Sequence, residues 1–134
     1  MKILLDTHVL IWFLTDNKLL TKSASEIILS PENEIFYSVI SIFEIDLKRQ
    51  NHPEDMPFDG EQVLRYCDEL EFLPLPLNMQ HALAVKNLKR PENLPPHKDP
   101  FDRLMLAQAI AENMIFMTHD KRIAEYSSQN IYKV

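Results

Sequence analysis

The apolar residues of this chain fall into short runs that alternate with segments of helical periodicity. Three of these runs are short and rich in β-formers: Lys2–Asp6 (KILLD), Glu34–Val39 (EIFYSV) and Met114–Thr118 (MIFMT). Nearly continuous apolar runs of this length are typical of strands that are covered on both faces. Because they alternate with helices, the pattern predicts an α/β domain with a mostly parallel central sheet flanked by helices on both faces.

Two weaker strands and seven helices complete the predicted order. Phe72–Leu77 is assigned to a sheet edge because Pro74 and Pro76 cannot donate to a central ladder, and Ile131–Val134 is a candidate last strand. The predicted helices are His8–Leu14, Thr21–Leu29, Ser41–Gln50, Asp59–Leu70, Asn78–Lys89, Pro100–Glu112 and Lys121–Ser127.

Length and composition exclude several classes of protein. A chain of 134 residues is expected to form one domain, residues 1–134. The only glycine, Gly60, excludes the glycine-rich phosphate loops. The only cysteine, Cys67, excludes an internal disulfide and cannot by itself hold a structural zinc. Asp6 and His8 interrupt the first apolar run, which therefore predicts neither a signal peptide nor a membrane span, and we expect a cytoplasmic protein.

The chain is acidic, with a formal net charge of −6 at pH 7. Proteins that coat duplex nucleic acid are normally basic. If this protein handles nucleic acid, metal ions or a local basic patch must therefore offset the repulsion between its acidic groups and phosphate.

Acidic side chains lie near the carboxyl ends of three predicted strands. Asp6 ends the first strand, Glu44 lies in the first turn of the helix after the second strand, and Asp120 follows the fourth strand by two residues. Ligands of parallel sheets bind outside the carboxyl ends of the strands. These three carboxylates are therefore expected at one ligand-binding edge.

Two further acids stand at the start of the helix that precedes the fourth strand. That helix must begin at the same edge if the strand runs parallel to the first. The loop 90–98 can span about 30 Å when extended, which is enough to return the chain there. Asp99 and Asp102 are then expected to join the other three carboxylates.

Carboxylates that are packed together repel each other and raise each other's pKa values unless a cation lies among them. Oxygen ligands favour the hard divalent ions Mg²⁺ or Mn²⁺. Zinc is less expected, because no histidine or cysteine group has ligand spacing; His8, His81, His97 and His119 are scattered and are assigned structural or exposed positions. A carboxylate-held Mg²⁺ at the end of an α/β sheet is suited to phosphodiester hydrolysis.

Most of these acids also have a purely structural interpretation. Ser41 and Glu44 have the spacing of a capping box. Asp99 and Asp120 each precede a predicted helix and could cap it. Asp6 has the least support for such a role. The functional interpretation therefore depends on the predicted convergence of all the acids at one edge.

Four segments of the chain carry a resemblance to a known family. LLDTHVLIW at residues 4–12 resembles the opening strand and first acid of the PIN-domain family, and SIFEI at residues 41–45 resembles the motif with the second acid. HKDPFDRL at residues 97–104, continuing to AQA at 107–109, resembles the third motif of one subgroup, and THD at 118–120 resembles the last motif. All four follow the family order, and the likeness is to its VapC-like toxin branch in particular.

The resemblance implies a metal-dependent endoribonuclease. It implies that Asp6, Glu44, Asp102 and Asp120 are the catalytic acids that hold Mg²⁺ or Mn²⁺, with Asp102 as the principal acid of the third motif and Asp99 as an accessory one. It also implies the toxin of a toxin–antitoxin pair, which a cognate antitoxin protein binds and blocks, and a homodimer.

Basic residues next to the last two motifs are candidates for contact with the RNA phosphates. Lys98 and Arg103 flank the third motif, and Lys121 and Arg122 follow the last. Each could equally be a solvated charge at the end of a helix.

Other classes of function fit the sequence less well. A phosphoacceptor receiver domain shares the α/β pattern and an acidic pocket, but it needs two adjacent acids early and a lysine after a late strand, where this chain has LLDTH and THD. A phosphatase of the Asp-x-Asp type is disfavoured because His8 occupies the second position. A catalytically inactive binding module stays open, although acids in all four motifs argue against it.

Overall fold

The computed structural model describes residues 1–134, and its centre is a single sheet of five parallel strands. The strands are β1 (Lys2–Leu5), β2 (Glu34–Ser38), β3 (Leu73–Leu75), β4 (Ile115–Thr118) and β5 (Ile131–Lys133). Their order across the sheet is β3-β2-β1-β4-β5, and every neighbouring pair is parallel. The predicted parallel α/β sheet is confirmed, with β3 and its proline at an edge.

Seven helices surround this sheet. They are α1 (Thr7–Leu14), α2 (Lys22–Leu29), α3 (Val39–Asn51), α4 (Gly60–Glu69), α5 (Met79–Ala84), α6 (Pro100–Ala111) and α7 (Lys121–Ala124), with short 3₁₀ turns at Pro53–Asp55 and Val85–Asn87. None of them combines the length and the apolar character that a membrane crossing requires.

Three helix boundaries differ from the prediction by more than one residue. The third helix begins at Val39 instead of Ser41, because Ser38 at the end of β2 caps it by accepting a hydrogen bond from the Ile40 amide. Glu44 therefore lies in the second turn of α3 and not in the first. The helices α5 and α7 end at Ala84 and Ala124, several residues before their predicted ends.

Both faces of the sheet are covered by side chains of the helices. Along β1, Ile3 and Leu5 pack into one apolar cluster and Leu4 packs into another, as the alternation of side chains along a strand requires. All three are at most 1% exposed. The strand is therefore buried on both sides, which explains why its sequence is apolar without alternation.

The direction in which the chain crosses the sheet changes at β1. The chain proceeds from β1 to β2 and β3 on one side, and β4 and β5 are then added on the other side of β1. In open α/β sheets such a switch point leaves a crevice outside the carboxyl ends of the two adjacent strands. Asp6 directly follows β1 and Asp120 follows β4 by two residues, so both lie at this crevice.

Candidate metal centre

Asp6 is held by hydrogen bonds to both of its carboxylate oxygens. It is 3% exposed. Its Oδ1 accepts a hydrogen bond from the Thr7 amide at 2.7 Å, so that Asp6 caps α1, and its Oδ2 accepts one from Thr118 Oγ1 at 2.7 Å. Burial raises the pKa of Asp6, and the two hydrogen bonds act in the opposite direction. Each oxygen keeps a second lone pair that could face a ligand.

Glu44 is oriented by a chain of two hydroxyl groups. Thr7 Oγ1 donates to Glu44 Oε1 at 2.8 Å and lies 2.8 Å from Ser41 Oγ. Because a threonine hydroxyl carries one proton, a Thr7 that donates to the carboxylate must accept from Ser41. The alternative interpretation of Ser41 and Glu44 as a capping box is therefore wrong: Ser38 caps the helix, and the carboxylate of Glu44 accepts its hydrogen bond from Thr7 of α1.

The two acids of the third motif have different environments. Asp99 is exposed and caps α6, where its Oδ1 accepts hydrogen bonds from the amides of Phe101 at 2.9 Å and Asp102 at 3.3 Å. Asp102 is half-buried and its carboxylate takes no part in the cap. The capping interpretation of Asp99 is thus confirmed, while Asp102 is the acid that points away from the helix backbone.

Asp120 also caps a helix and is linked to Asp6. Its Oδ1 accepts from the Arg122 amide at 2.7 Å, which caps α7. Its own amide donates at 3.0 Å to Thr118 Oγ1, the same hydroxyl that donates to Asp6. Capping uses only Oδ1 of Asp120, so the structural role does not exclude a second role for Oδ2.

The structure places the other four predicted acids close enough to Asp102 for their charges to repel it. Burial raises the pKa of Asp102 to about 8, and repulsion from the other four carboxylates adds to the effect; these are Asp6, Asp99, Asp120 and Glu44. Burial likewise raises the pKa of Glu44 to about 7. The hydrogen bond from Thr7 lowers this pKa, and repulsion from Asp6 and Asp99 raises it further.

No lysine or arginine forms an ion pair with these acids. The only ion pair that includes one of the five joins Asp102 to His97. A partly buried group of carboxylates without such partners offers the oxygen donors that hard divalent cations such as Mg²⁺ or Mn²⁺ bind. The residues present therefore suit such a metal.

His97 lies inside this group of acids, which the sequence did not indicate. The residue is 7% exposed. Its Nε2 lies 3.4 Å from Asp102 Oδ2, and its Nδ1 lies 3.1 Å from Tyr126 Oη. One ring nitrogen of His97 and one oxygen each of Asp102 and Asp120 lie within 4.8 Å of one another. Burial lowers the pKa of His97, although the negative charges of Asp120 and Asp99 act to raise it.

Sequence reasoning thus missed three residues of the site. The expectation that no histidine has ligand spacing is wrong in three dimensions, because the loop before α6 carries His97 to the acids. Thr7 and Thr118, which orient Glu44 and Asp6, were also missed. A signal was present for all three: Thr7 adjoins Asp6, while His97 and Thr118 each stand two residues before an acid of the same motif.

The basic residues predicted to contact phosphate are free of ionic partners. Arg103 is half-buried and its Nε has no hydrogen-bond partner. Lys98, Lys121 and Arg122 are exposed, and none of the four forms an ion pair. Their side chains remain available to a polyanion.

The raised pKa values predict how the stability of the metal-free protein depends on pH. Asp102 and Glu44 hold protons in the folded protein up to about pH 8 and about pH 7, whereas in the unfolded chain they lose them near 3.8 and 4.5. The folded state thus binds more protons within this window, so stability falls as pH rises through it.

We expect the melting temperature of the metal-free protein to fall by a few degrees between pH 5.5 and pH 8, measured with a chelator present. Mg²⁺ should restore it more at pH 8 than at pH 5.5. Asp102→Asn removes one titrating group and should flatten the profile. A melting temperature that rises across this range in the wild type would contradict the assignment.

The family of the chain follows from comparison with known proteins. The sequence model of the PIN domain matches residues 3–128. No curated protein sequence matches the chain significantly.

Three solved structures share the fold at low sequence identity. The first is VapBC2 from Rickettsia felis bound to a DNA fragment from its promoter; the matched chain is 17% identical, the match covers 100% of this chain and 98% of the matched one, and the TM-score is 0.62. The second is VapBC-1 from nontypeable Haemophilus influenzae, with 19% identity, 92% of this chain and 90% of the matched chain covered, and a TM-score of 0.59. The third is a toxin–antitoxin complex from Klebsiella pneumoniae, with 19% identity, 98% of this chain and 99% of the matched chain covered, and a TM-score of 0.61.

The family match spans all four motifs and four of the five strands, and the neighbours cover at least 92% of the chain. The chain belongs to the PIN domain family.

Proposed function

We propose that this protein is a Mg²⁺- or Mn²⁺-dependent endoribonuclease and the toxin of a toxin–antitoxin pair. The observation that carries the proposal is the group of five carboxylates at the switch point of the sheet, none of which forms an ion pair with a lysine or an arginine. The PIN family membership and the three structural neighbours, which are toxin–antitoxin or VapBC complexes, support the same reading.

Each acid has a proposed role in holding the cation. Asp6, Glu44 and Asp102 bind it, and Asp120 completes the site directly or through water, with Asp99 accessory at the rim. Thr7 and Thr118 fix the orientation of Glu44 and Asp6 by their hydroxyl groups. The chemistry that such a cation supplies is neutralisation of charge on the phosphodiester and activation of water for hydrolysis.

The proposed substrate is RNA. The overall charge of the protein opposes the binding of a polyanion, so the substrate must be held by local positive charge together with the metal. Arg103 and Lys98 are the proposed phosphate contacts, because they flank the acids and have no ionic partner. The proposed location is the cytoplasm, and the buried free thiol of Cys67 needs no oxidising compartment.

The proposed antitoxin neutralises the acids with a cation of its own. An arginine or lysine of the partner would take the place of the metal among the carboxylates. Beside Glu44 there is a cavity of about 330 Å³ whose apolar lining includes Ile11, Leu47 and Phe101. Leu47 is 40% exposed. A helix of the partner could lay its apolar face there, whereas Trp12 and Phe13 are half-buried against the core.

The proposal also includes a homodimer. Met79 and Leu83 on α5 and Ile110 on α6 are exposed apolar side chains on two helices that pack together. They are candidates for contact with a second copy of the chain.

Cleavage of RNA by the purified protein is the first test. We expect cleavage with Mg²⁺ or Mn²⁺ and none with EDTA, and we expect Asp6→Asn to lower the rate at least about 100-fold, since even partners outside the first coordination shell cost roughly 10–100-fold. The Asp6→Asn protein should keep or slightly gain metal-free stability, because the substitution removes a repelling charge. Asp16→Asn makes the same chemical change at an exposed position beyond α1 and should leave the rate unchanged.

Undiminished cleavage by Asp6→Asn would refute the metal-site assignment. No cleavage under any condition, with the metal bound, would favour a catalytically inactive binding module.

Substitution of the two acids of the third motif should affect different properties of the protein: stability for Asp99 and RNA cleavage for Asp102. Asp99→Ala removes the cap of α6 and should lower the free energy of unfolding by about 1 kcal/mol while cleavage persists. Asp102→Ala should melt at the wild-type temperature or higher in the absence of metal and should lose cleavage. Thermal melts and cleavage rates of both variants measure this. The opposite pattern, an inactive Asp99→Ala and an active Asp102→Ala, would reverse the assignment.

Growth assays test the toxin role. Induced expression of the wild-type chain should arrest bacterial growth, and expression of Asp6→Asn to the same level should not. Co-expression with the product of the neighbouring gene should restore growth. If the wild-type chain is harmless while the purified protein cuts RNA, the toxin role fails and the nuclease proposal stands.

A further inference from the structure

The loop before α6 carries a histidine into the metal site and fixes it there. Arg90, at the start of this loop, lies with its guanidinium 5.6 Å from the centre of the Tyr126 ring and pairs with Glu125 at 3.0 Å. It also donates a hydrogen bond to the carbonyl of Pro95, and the Ser127 amide donates to the Lys89 carbonyl at 2.7 Å. The start of the loop is thereby attached to the region around Tyr126, the residue that contacts His97, and Arg90 also holds the later part of the loop at Pro95.

The two nitrogens of His97 have different surroundings. Nδ1 lies 3.1 Å from Tyr126 Oη, within hydrogen-bond distance. Nε2 makes no hydrogen bond and lies 3.4 Å from Asp102 Oδ2, which is longer than a normal charge-assisted bond. The side chain of His97 is 2% exposed. It faces the carboxylates of Asp102 and Asp120.

This arrangement fits a metal-ligating histidine whose second ring nitrogen is held by a hydrogen bond, here to a tyrosine hydroxyl. Such histidines bind the metal through one ring nitrogen and donate the proton on the other to an acceptor that fixes the tautomer and the ring orientation. Tyr126 Oη can accept the Nδ1 proton, which leaves the lone pair of Nε2 directed at the acids.

We propose that His97 is a direct ligand of the cation through Nε2, together with Asp102 and Asp120, and that this nitrogen makes the site prefer Mn²⁺ to Mg²⁺. The proposal rests on the proposed metal-dependent function and adds a nitrogen ligand to a site otherwise made of carboxylates. Mg²⁺ favours oxygen ligands, whereas imidazole binds transition metals readily, and Mn²⁺ accepts both types of ligand. Tyr126 is a positioning residue in this account, since it acts through the imidazole.

Pulsed electron paramagnetic resonance of the Mn²⁺-loaded protein tests the ligand directly. A nitrogen bound to Mn²⁺ modulates the electron spin echo at ¹⁴N frequencies. The wild type should show this modulation and His97→Gln should lose it. His8→Gln and His119→Gln, which change the other two imidazoles near the acids, should retain it. Modulation that survives in His97→Gln, or that is absent from the Mn²⁺-loaded wild type, would overturn the proposal.

Calorimetric titration with each metal tests the selectivity. His97→Gln should lower the affinity for Mn²⁺ about 100-fold and the affinity for Mg²⁺ far less, while Tyr126→Phe, which keeps the ring and removes only Oη, should lower the Mn²⁺ affinity about tenfold. If His97→Gln does not fold, the titration of Tyr126→Phe with both metals is the test. Equal losses for both metals, or no loss in either variant, would overturn the selectivity.

The outcome is separable from that of the proposed function. RNA cleavage that a chelator abolishes, without ¹⁴N modulation in the wild type, leaves the nuclease standing and refutes the nitrogen ligand. A protein that binds neither metal refutes both.

Discussion

Repulsion among partly buried carboxylates is the constraint on which the site depends. Asp6 and Asp120 are brought together because β1 and β4 are neighbours at the switch point of the sheet, and Glu44 and Asp102 are brought to them by the helices α3 and α6. The backbone determines this placement, and the charges oppose it, as the pKa of Asp102 near 8 indicates. Uncompensated carboxylates of this kind lower the stability of a metal-free protein at neutral pH, and a cation reverses the effect.

The helix caps show how the fold holds such a group in place. Asp6, Asp99 and Asp120 each use one carboxylate oxygen to cap a helix that begins at the site. The structural and functional interpretations of these acids are therefore not alternatives. A cap fixes the carboxylate at a helix N-terminus, where the helix dipole also favours negative charge, and the remaining lone pairs stay available to a ligand.

The sequence was sufficient for the sheet and for the location of the acids, and insufficient for what orients them. Short apolar runs predict buried parallel strands, and the rule that ligands bind at their carboxyl ends then assigns an edge. The contacts between Thr118 and Asp6 and between Thr7 and Glu44 join residues 112 and 37 positions apart. Closeness in sequence to an acid marks Thr7, Thr118 and His97 as candidates, but it does not show which distant residue each one contacts. For His97 those residues are Asp120 and Tyr126.

The start of α3 illustrates a different limit. Ser38 and Ser41 could each cap the helix, since serine is a common N-cap residue. The local sequence favoured Ser41, because Glu44 follows it at the spacing of a capping box. The structure uses Ser38, whose hydroxyl also donates to Gln108 Oε1 at 2.6 Å, and so the strand passes into the helix without a loop. Tertiary contacts thus decided between two locally acceptable caps.

The most direct measurement of the central claim is a titration of the side-chain carboxyl groups by ¹³C NMR in the metal-free and the Mg²⁺-saturated protein. The account predicts that Asp102 titrates near pH 8 and Glu44 near pH 7 without metal. Saturating Mg²⁺ should lower both pKa values to or below the ordinary range of carboxyl groups, because the cation favours the charged forms. An Asp102 carboxyl that titrates near 3.8 in the metal-free protein, or that does not respond to Mg²⁺, would contradict the account.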